Sequence, residues 1–351
     1  MNDAAPHILV IRRRYLGDLV LLGPVLHSLR SHWPQAHIAV LTESAYTGVL
    51  AINSDVNETL NFPHGVGDWW ALWQSLRATK FTHVFDFDNR EKTALITWAS
   101  GASQRFTLHN GMSATWGWIY SAIALVPVDF LIGRHVTTYF SRLLAIANVP
   151  VSTNFTGLTP MPQDVAAISQ LPAISVLPHD RPRLLVHPGS RSEFRLWPAE
   201  NFASVLDTIV AQNIASVTLI AGANEQHLVD AIAQRMTQVV ARIDESLSVP
   251  QLAALLAQFD VLLCHDSGPM HVAAAVGTRV VALFGAQGSV VFAPLGEGHS
   301  LLSPPIPCVN CVSPETCVKG DTYRMRCVQN ISPGEVVTAL SEILANPHLS
   351  R

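Results

Sequence analysis

The sequence is poor in charge. Only 14% of its 351 residues are Asp, Glu, Lys or Arg, against about a quarter in an ordinary soluble domain. A surface so poor in charge suits a protein that lies against something apolar. The formal net charge is −4, which argues against nucleic-acid binding through a strongly basic face. A clean apolar run of about 20 residues, the length a membrane span requires, is also missing. The most membrane-like stretch, WGWIYSAIALVPVDFLIG from Trp116 to Gly133, is broken by Pro127 and Asp129. It reads as a buried helix followed by a loop, in preference to an apolar patch resting on a membrane or a lipid substrate. The opening MNDAAPHILVIRRRYLGD has an apolar run, Ile8 to Ile11, that is too short for a secretory leader and precedes the arginines. A cytoplasmic location is therefore expected, with peripheral contact at the cytosolic face of a membrane. Neither GxxxxGK[ST] nor a well-placed GxGxxG occurs, which disfavours a P-loop ATPase or an NAD enzyme. Low-complexity tracts and short repeats are lacking as well.

What the chain has is core. Apolar residues make up 49% of it, ample for sizeable interiors, and its length suggests two domains. Short β-branched runs alternate with helical patterns in both halves. Strands are expected at 7–11, 37–41 and 82–87, then at 183–187, 216–221, 239–243, 260–264 and 279–283. Continuous apolar strands separated by helices read as βαβ units on parallel sheets buried on both faces. The expected fold is α/β, with two Rossmann-like domains. LPAISVLPHDRPR holds three prolines and no clear period, so 171–183 reads as the linker between a domain at 1–170 and one at 184–332. The tail from 333 to 351 begins with a Ser-Pro helix signal and forms a closing helix.

In an open α/β sheet, ligands bind beyond the carboxyl ends of the strands. CHDSGPMHVAAAVGT, from Cys264 to Thr278, lies at such an end. Gly268 admits close backbone approach. The helix through His271 to Val276, entered by way of Pro269 and Met270, offers free N–H groups and its positive dipole end, a phosphate-binding combination. Asp266 and Ser267 stand at its mouth, where an aspartate cap and a satisfied histidine would serve structure equally well. A second strand end, VHPGSRSEFRLWP (186–198), carries Gly189, Ser190, Arg191, Ser192 and Arg195. Arginine suits a diphosphate because its fork donates paired hydrogen bonds. A third, LIAGANEQH, supplies Gly222 and Glu225, suited to a ribose or a base edge. In the first half, Leu16-Gly17-Asp18 follows the first strand. A carboxylate at that turn, facing a nucleotide site in the other domain, can act as general base or simply cap the helix.

Taken together, ILVIRRRYLGDLVLLGPVLHSLR, HPGSRSEFRLWPAENFA, AGANEQ and HDSGPMHVAAAVGTRVVALFG resemble the ADP-heptose:lipopolysaccharide heptosyltransferase family over nearly the whole chain. No single motif is specific; the set, in this order and spacing, is. The resemblance implies a GT-B architecture, with an acceptor-binding first domain, an ADP-sugar-binding second domain and a C-terminal helix returning to the first. It implies metal-independent, inverting transfer of heptose from ADP-heptose to an anionic lipopolysaccharide inner core, with no catalytic cofactor. By motif, Asp18 corresponds to the catalytic base. Asp266, Ser267, Gly268 and His271 correspond to the donor diphosphate and heptose site, Ser190 to a diphosphate contact and Glu225 to the ribose contact. Arg195 stands where many members have lysine. It keeps the positive charge that would stabilise the leaving diphosphate but changes the geometry. Arg12, Arg13 and Arg14 before the Asp18 turn, and Asn89, Arg90 and Lys92 in DFDNREKTALIT, are the acceptor-side candidates, solvated surface cations being the alternative reading of each basic residue. Asp86 and Asp88 are the next carboxylates in line for the base.

Cys308, Cys311, Cys317 and Cys327 follow a C-x2-C-x5-C-x9-C spacing. In a chain without a leader, clustered cysteines suggest a metal before disulfides, though this spacing is not a zinc-ribbon repeat. One branch of the family binds iron with four cysteines. A structural zinc or iron site and thiols, free or paired, both stay open. Two other functions remain: a related glycosyltransferase with another donor or a protein acceptor, and a nucleotide-sugar binder without turnover. The presence of Asp18 argues against the binder.

Overall fold

A computed structural model of the chain describes residues 5–109, 116–127, 129–152, 157–178, 180–222, 224–285, 288–304 and 327–345. They fall into two compact units, Met1–Gly157 and Leu158–Arg351. The first holds strands β1 (His7–Ile11), β2 (His37–Thr42), β3 (Glu58–Asn61), β4 (His83–Asp86), β5 (Gln104–His109) and β6 (Ala122–Leu125). The second holds β7 (Arg183–His187), β8 (Ser216–Ile220), β9 (Ala241–Ile243), β10 (Val261–His265), β11 (Arg279–Leu283) and β12 (Ser300–Leu302).

Each sheet is parallel throughout and carries the doubly wound order. The first runs β3-β2-β1-β4-β5-β6, and the second runs β12-β11-β10-β7-β8-β9. The central strands are continuous apolar runs because helices cover both faces: Ile8 to Ile11, Val261 to Cys264 and Val280 to Leu283 are fully buried. The order reverses between β1 and β4 in one unit and between β7 and β10 in the other. There the neighbouring connections leave in opposite directions, opening a crevice at the carboxyl ends of the strands. Ile11 pairs with Asp86 at one switch point, and Cys264 with His187 at the other.

The sequence reading missed β3, β5, β6 and β12. These strands are short or carry polar residues, as in ETLN, QRFTLH and SLL, and pairing to an existing sheet makes them strands. The helix read at Trp116 to Gly133 is corrected. Its described residues form a 3-10 turn at Gly117–Ile119 and then β6. AIAL suits an edge strand, and Trp118, Leu125 and Ile132 stay exposed.

The division between units also falls earlier than the linker read at 171–183. Leu158 N–H already donates to Ala275 O of the second unit at 2.8 Å. Helix Pro162–Ser169 packs on helix Val249–Leu256, and Pro172–Ser175 is helical. The closing helix spans Pro333–Ala345. Its Val336, Leu340 and Leu344 pack with Leu206 of helix Ala199–Ala211 and with Val281 and Leu283 of β11, in the core of the second unit. No helix among the described residues is long and apolar enough to cross a membrane.

Candidate active site

In the second unit the loop after β7 is pinned to the end of β10. His265, the last residue of β10, is fully buried, and its Nε2 accepts from the Trp197 backbone N–H at 2.9 Å. Burial, with His187 nearby, holds His265 far below the ordinary histidine value, at about 3, so the ring is a neutral acceptor. Trp197 Nε1 donates to Ile331 O at 3.0 Å, and Phe202 packs edge-on against both the Trp197 and His265 rings. This anchorage fixes a 3-10 turn at Glu193–Arg195, whose Arg195 N–H donates to Ser192 O at 3.0 Å.

The turn aims Arg195 at the neighbouring strand end. Its Nη1 lies 3.0 Å from Asp266 Oδ2 and 3.3 Å from Asp266 O. Ser267 is the N-cap of helix Gly268–Ala275, yet its hydroxyl makes no cap bond. Ser267 Oγ and Ser190 Oγ are buried with no hydrogen-bond partner among the described residues. The first turn of the helix leaves its N–H groups outside the intrahelical ladder, Pro269 having none to offer. Met270 and His271 are buried beneath that turn. One switch point thus gathers a cation, two hydroxyls and a helix N-terminus, a set that can receive an anion.

Glu225 ties the end of β8 to that of β7. Its Oε2 accepts from Gly222 N–H at 3.1 Å and stands 3.5 Å from His187 Nε2. A Cβ on Gly189 would lie 2.1 Å from Glu225 Oε2, so the carboxylate occupies the space that a side chain at 189 would take. Burial lowers the affinity of His187 for a proton, with the Glu225 charge opposing.

In the first unit, Asp18 lies in the first turn of helix Leu16–Leu21 and its Oδ2 accepts from Tyr15 N–H at 2.8 Å. Its Oδ1 is 3.0 Å from Arg12 Nη2. Arg12 also reaches Asp88 Oδ1 through Nη1 at 3.2 Å, and Asp88 Oδ2 accepts from Arg13 N–H at 3.0 Å. Beneath them Asp86 is fully buried. It accepts from Tyr120 Oη at 2.7 Å and from the N–H groups of Asp88 and Asn89. Burial raises the Asp86 carboxyl to about 6 and lifts Asp88 against the pull of Arg12.

The three arginines expected on the acceptor side are thus engaged within the fold. Arg12 holds Asp18 and Asp88. Arg13 and Arg14 lie 2.7 and 3.5 Å from Glu43 Oε1, and His64 Nε2 is 2.7 Å from Glu43 Oε2. Burial pushes the Glu43 carboxyl up, but the Arg13 and His64 hydrogen bonds outweigh it and hold the group below the usual range. Asn89 takes a left-handed conformation, φ 44°, and its Nδ2 donates to Leu108 O at 2.8 Å. Arg90 and Lys92 are exposed. Sequence reasoning missed His187, His265, Glu43 and Tyr120. The two histidines carried a usable signal: each closes a buried strand immediately before a Gly- or Ser-containing turn. Cys308, Cys311 and Cys317 lie outside the described residues. Cys327 is buried in the 3-10 turn Cys327–Asn330.

With this geometry on hand, comparison with known proteins is decisive. Residues 69–320 match glycosyltransferase family 9 (heptosyltransferase). The chain belongs to this glycosyltransferase family. Among its relatives, lipopolysaccharide heptosyltransferase 3 of Escherichia coli K12 is 27% identical over 298 residues, spanning 81% of this chain and 84% of the relative. A family 9 glycosyltransferase from Veillonella parvula superposes with a TM-score of 0.86 at 20% identity, covering 99% of both chains. The E. coli ADP-heptose lps heptosyltransferase II gives 0.76 at 20% identity, over 97% of this chain and 99% of that one. These likenesses are of fold, and the fold is the α/β GT-B class of family 9 heptosyltransferases.

Proposed function

We propose that the protein transfers heptose from ADP-heptose to the inner core of lipopolysaccharide, with inversion at the anomeric carbon and without a catalytic metal. The observation that carries this reading is the pair of switch points within one family 9 chain. One offers an oriented carboxylate at Asp18, and the other an anion-receiving set at Arg195, Ser190, Ser267 and the N-terminus of helix Gly268–Ala275. The names of its relatives supply the sugar, the nucleotide and the acceptor class.

In this reading an acceptor hydroxyl oxygen bonds to the anomeric carbon as the bond from that carbon to the β-phosphate oxygen breaks. The hydroxyl proton passes to Asp18, whose other oxygen is held by Tyr15 N–H while Arg12 fixes the carboxylate in place. Negative charge grows on the departing ADP. Arg195, the two hydroxyls and the helix N–H groups stabilise it where it forms, as preorganised dipoles do. Glu225 takes the ribose hydroxyls. Arg90 and Lys92 meet the anionic core, at the cytosolic face of the inner membrane.

The test is direct. Full-length protein is incubated with ADP-heptose, or with other nucleotide sugars, and a panel of truncated cores, and the products are weighed. A product heavier by one heptose, formed only with ADP-heptose, is expected. Transfer of another sugar, or onto protein, would replace the reading with that of a related glycosyltransferase.

A further inference from the structure

Two helices of the first unit, Val66–Thr79 and Glu91–Ala99, bury Leu72, Leu76 and Ile96 against its sheet. A surface helix that packs one stripe normally presents polar residues on the opposite one. These do not. The outer stripe of Val66–Thr79 runs Val66, Trp70, Trp73 at i, i+4, i+7, with exposures of 90%, 59% and 41%. Leu95 and Trp98 of the second helix, each about half exposed, join them in lining an apolar groove of about 400 Å³. Trp70 and Trp73 stack with ring centroids 5.0 Å apart. Among the described residues, nothing in the packing of the sheet calls for these rings on the outside.

Charge marks the same helices. Arg77 continues the tryptophan stripe, its guanidinium 5.8 Å from the Trp73 ring centroid. Lys80 caps that helix, and Arg90 and Lys92 open the other. Against these four cations stand Asp68, whose carboxylate is engaged by the His64 and Gly65 N–H groups, and Glu91. The face is locally cationic on a chain of net charge −4.

We infer that this face rests on an anionic phospholipid bilayer. Indole combines a large apolar body with an N–H donor and favours the membrane–water boundary. Arginine and lysine lay their stems along apolar surface and keep their charge at the phosphate level. The helix Glu91–Ala99 starts at the loop whose Asp88 engages Arg12, so the surface that grips the bilayer is continuous with the acceptor-side loop. A lipid-borne acceptor is thereby presented to that loop. This last step rests on the proposed function; bilayer binding itself does not.

The experiment uses the full chain with vesicles of phosphatidylethanolamine and phosphatidylglycerol, and with phosphatidylcholine vesicles in parallel. Flotation should carry the wild-type protein with the anionic vesicles and much less with phosphatidylcholine. Brominated lipid should quench its tryptophan fluorescence. Trp70→Ser with Trp98→Ser should cut partitioning by about tenfold or more for each ring removed from the bilayer. Its melting temperature and its transfer to a delipidated, water-soluble core should stay at wild-type values. Wild-type protein that fails to float, or a variant that floats equally well, overturns the inference. So does a wild-type dimer that the same substitutions split into monomers, since the groove would then belong to a second copy. If both proteins float as expected but neither transfers heptose to the soluble core, the proposed function fails and the bilayer surface stands.

Discussion

Arg12 and Asp18, six residues apart across the turn after β1, are joined by a 3.0 Å ion pair, and the same guanidinium reaches Asp88 after β4 at 3.2 Å. One arginine thus ties together the two strand ends that flank the switch point of the first unit. It fixes the direction of Asp18 and offsets the charge of Asp88, a carboxylate that burial already raises.

Replacing Arg12 with alanine leaves two partly buried carboxylates without their shared cation. Removing one partner from a fully buried pair costs about 3–5 kcal/mol, and urea unfolding should show a loss below that range because these side chains keep 12–19% of their surface exposed. Turnover should fall as well, because Asp18 loses its orientation. Arg12→Lys should restore more stability than turnover, a single ammonium being unable to span both carboxylates as the planar fork does.

The serines of the second unit separate a ligand role from a structural one. Ser190 Oγ and Ser267 Oγ have no partner among the described residues, so Ser190→Ala and Ser267→Ala should leave the melting temperature unchanged. Each should weaken ADP binding by about 1 kcal/mol, the net worth of one hydrogen bond. Arg195→Ala should weaken it by about 1–3 kcal/mol, as for a bond to a charged group, and calorimetry with ADP measures all three. Unchanged ADP affinity in every variant would remove the diphosphate from this switch point.

Gly189 is held open by Glu225. A methyl group at 189 would stand 2.1 Å from Glu225 Oε2, so Gly189→Ala should displace the carboxylate from His187 and from Gly222 N–H. If Glu225 engages the ribose, Gly189→Ala and Glu225→Gln should both raise the donor KM. Glu225→Gln should do so without the loss of stability that a shifted backbone brings. A donor KM unmoved by either substitution would assign Glu225 to the fold alone.

The strand ends that gather the candidate residues were legible in the sequence, whereas four of the twelve described strands were not. β1, β7, β10 and β11 could be read because their apolar runs lie inside a sheet, and β7 and β10 each end in a turn rich in Gly, Ser or Asp. β3, β6, β9 and β12 are outer strands of three or four residues. Only β9 was foreseen, two residues too long, because edge pairing supplies an order that local composition does not. The motifs HPGS and HDSG correctly marked adjacent strand ends. They could not show that His265 locks Trp197, or that Arg195 is aimed at Asp266, since those contacts join residues about seventy positions apart. The run Arg12 to Arg14 read as a basic patch for the same reason. Two of its counter-charges, Glu43 and Asp88, come from turns about 30 and 76 residues further along the chain.

Buried Asp86 sets a pH signature for the first unit. Its carboxyl is raised to about 6 by burial, above the unfolded value of about 3.9. The folded chain therefore holds this proton more tightly than the unfolded chain does. Its contribution to stability is fully present below pH about 4 and is lost as pH rises through about 6. The difference in unfolding free energy between wild type and Asp86→Asn should shift across that window in favour of the variant, by up to about 3 kcal/mol at 1.36 kcal/mol per pKa unit. Chemical denaturation at steps between pH 4 and 7 measures it, and a flat difference would mean that Asp86 titrates normally.

The central claim is that Asp18 receives the acceptor proton. Asp18→Asn keeps the shape, and its side-chain oxygen can still accept from Tyr15 N–H, but it removes the basicity. The decisive measurement is single-turnover heptose transfer by Asp18→Asn beside wild type, with ADP affinity and melting temperature recorded on the same preparations. The account predicts a rate lower by about 10²–10⁴-fold, the range for loss of a general base, with ADP affinity unchanged because the diphosphate residues belong to the other unit. A near-wild-type rate, with chemistry shown to be the slow step, would contradict it and leave Asp18 as the cap of helix Leu16–Leu21.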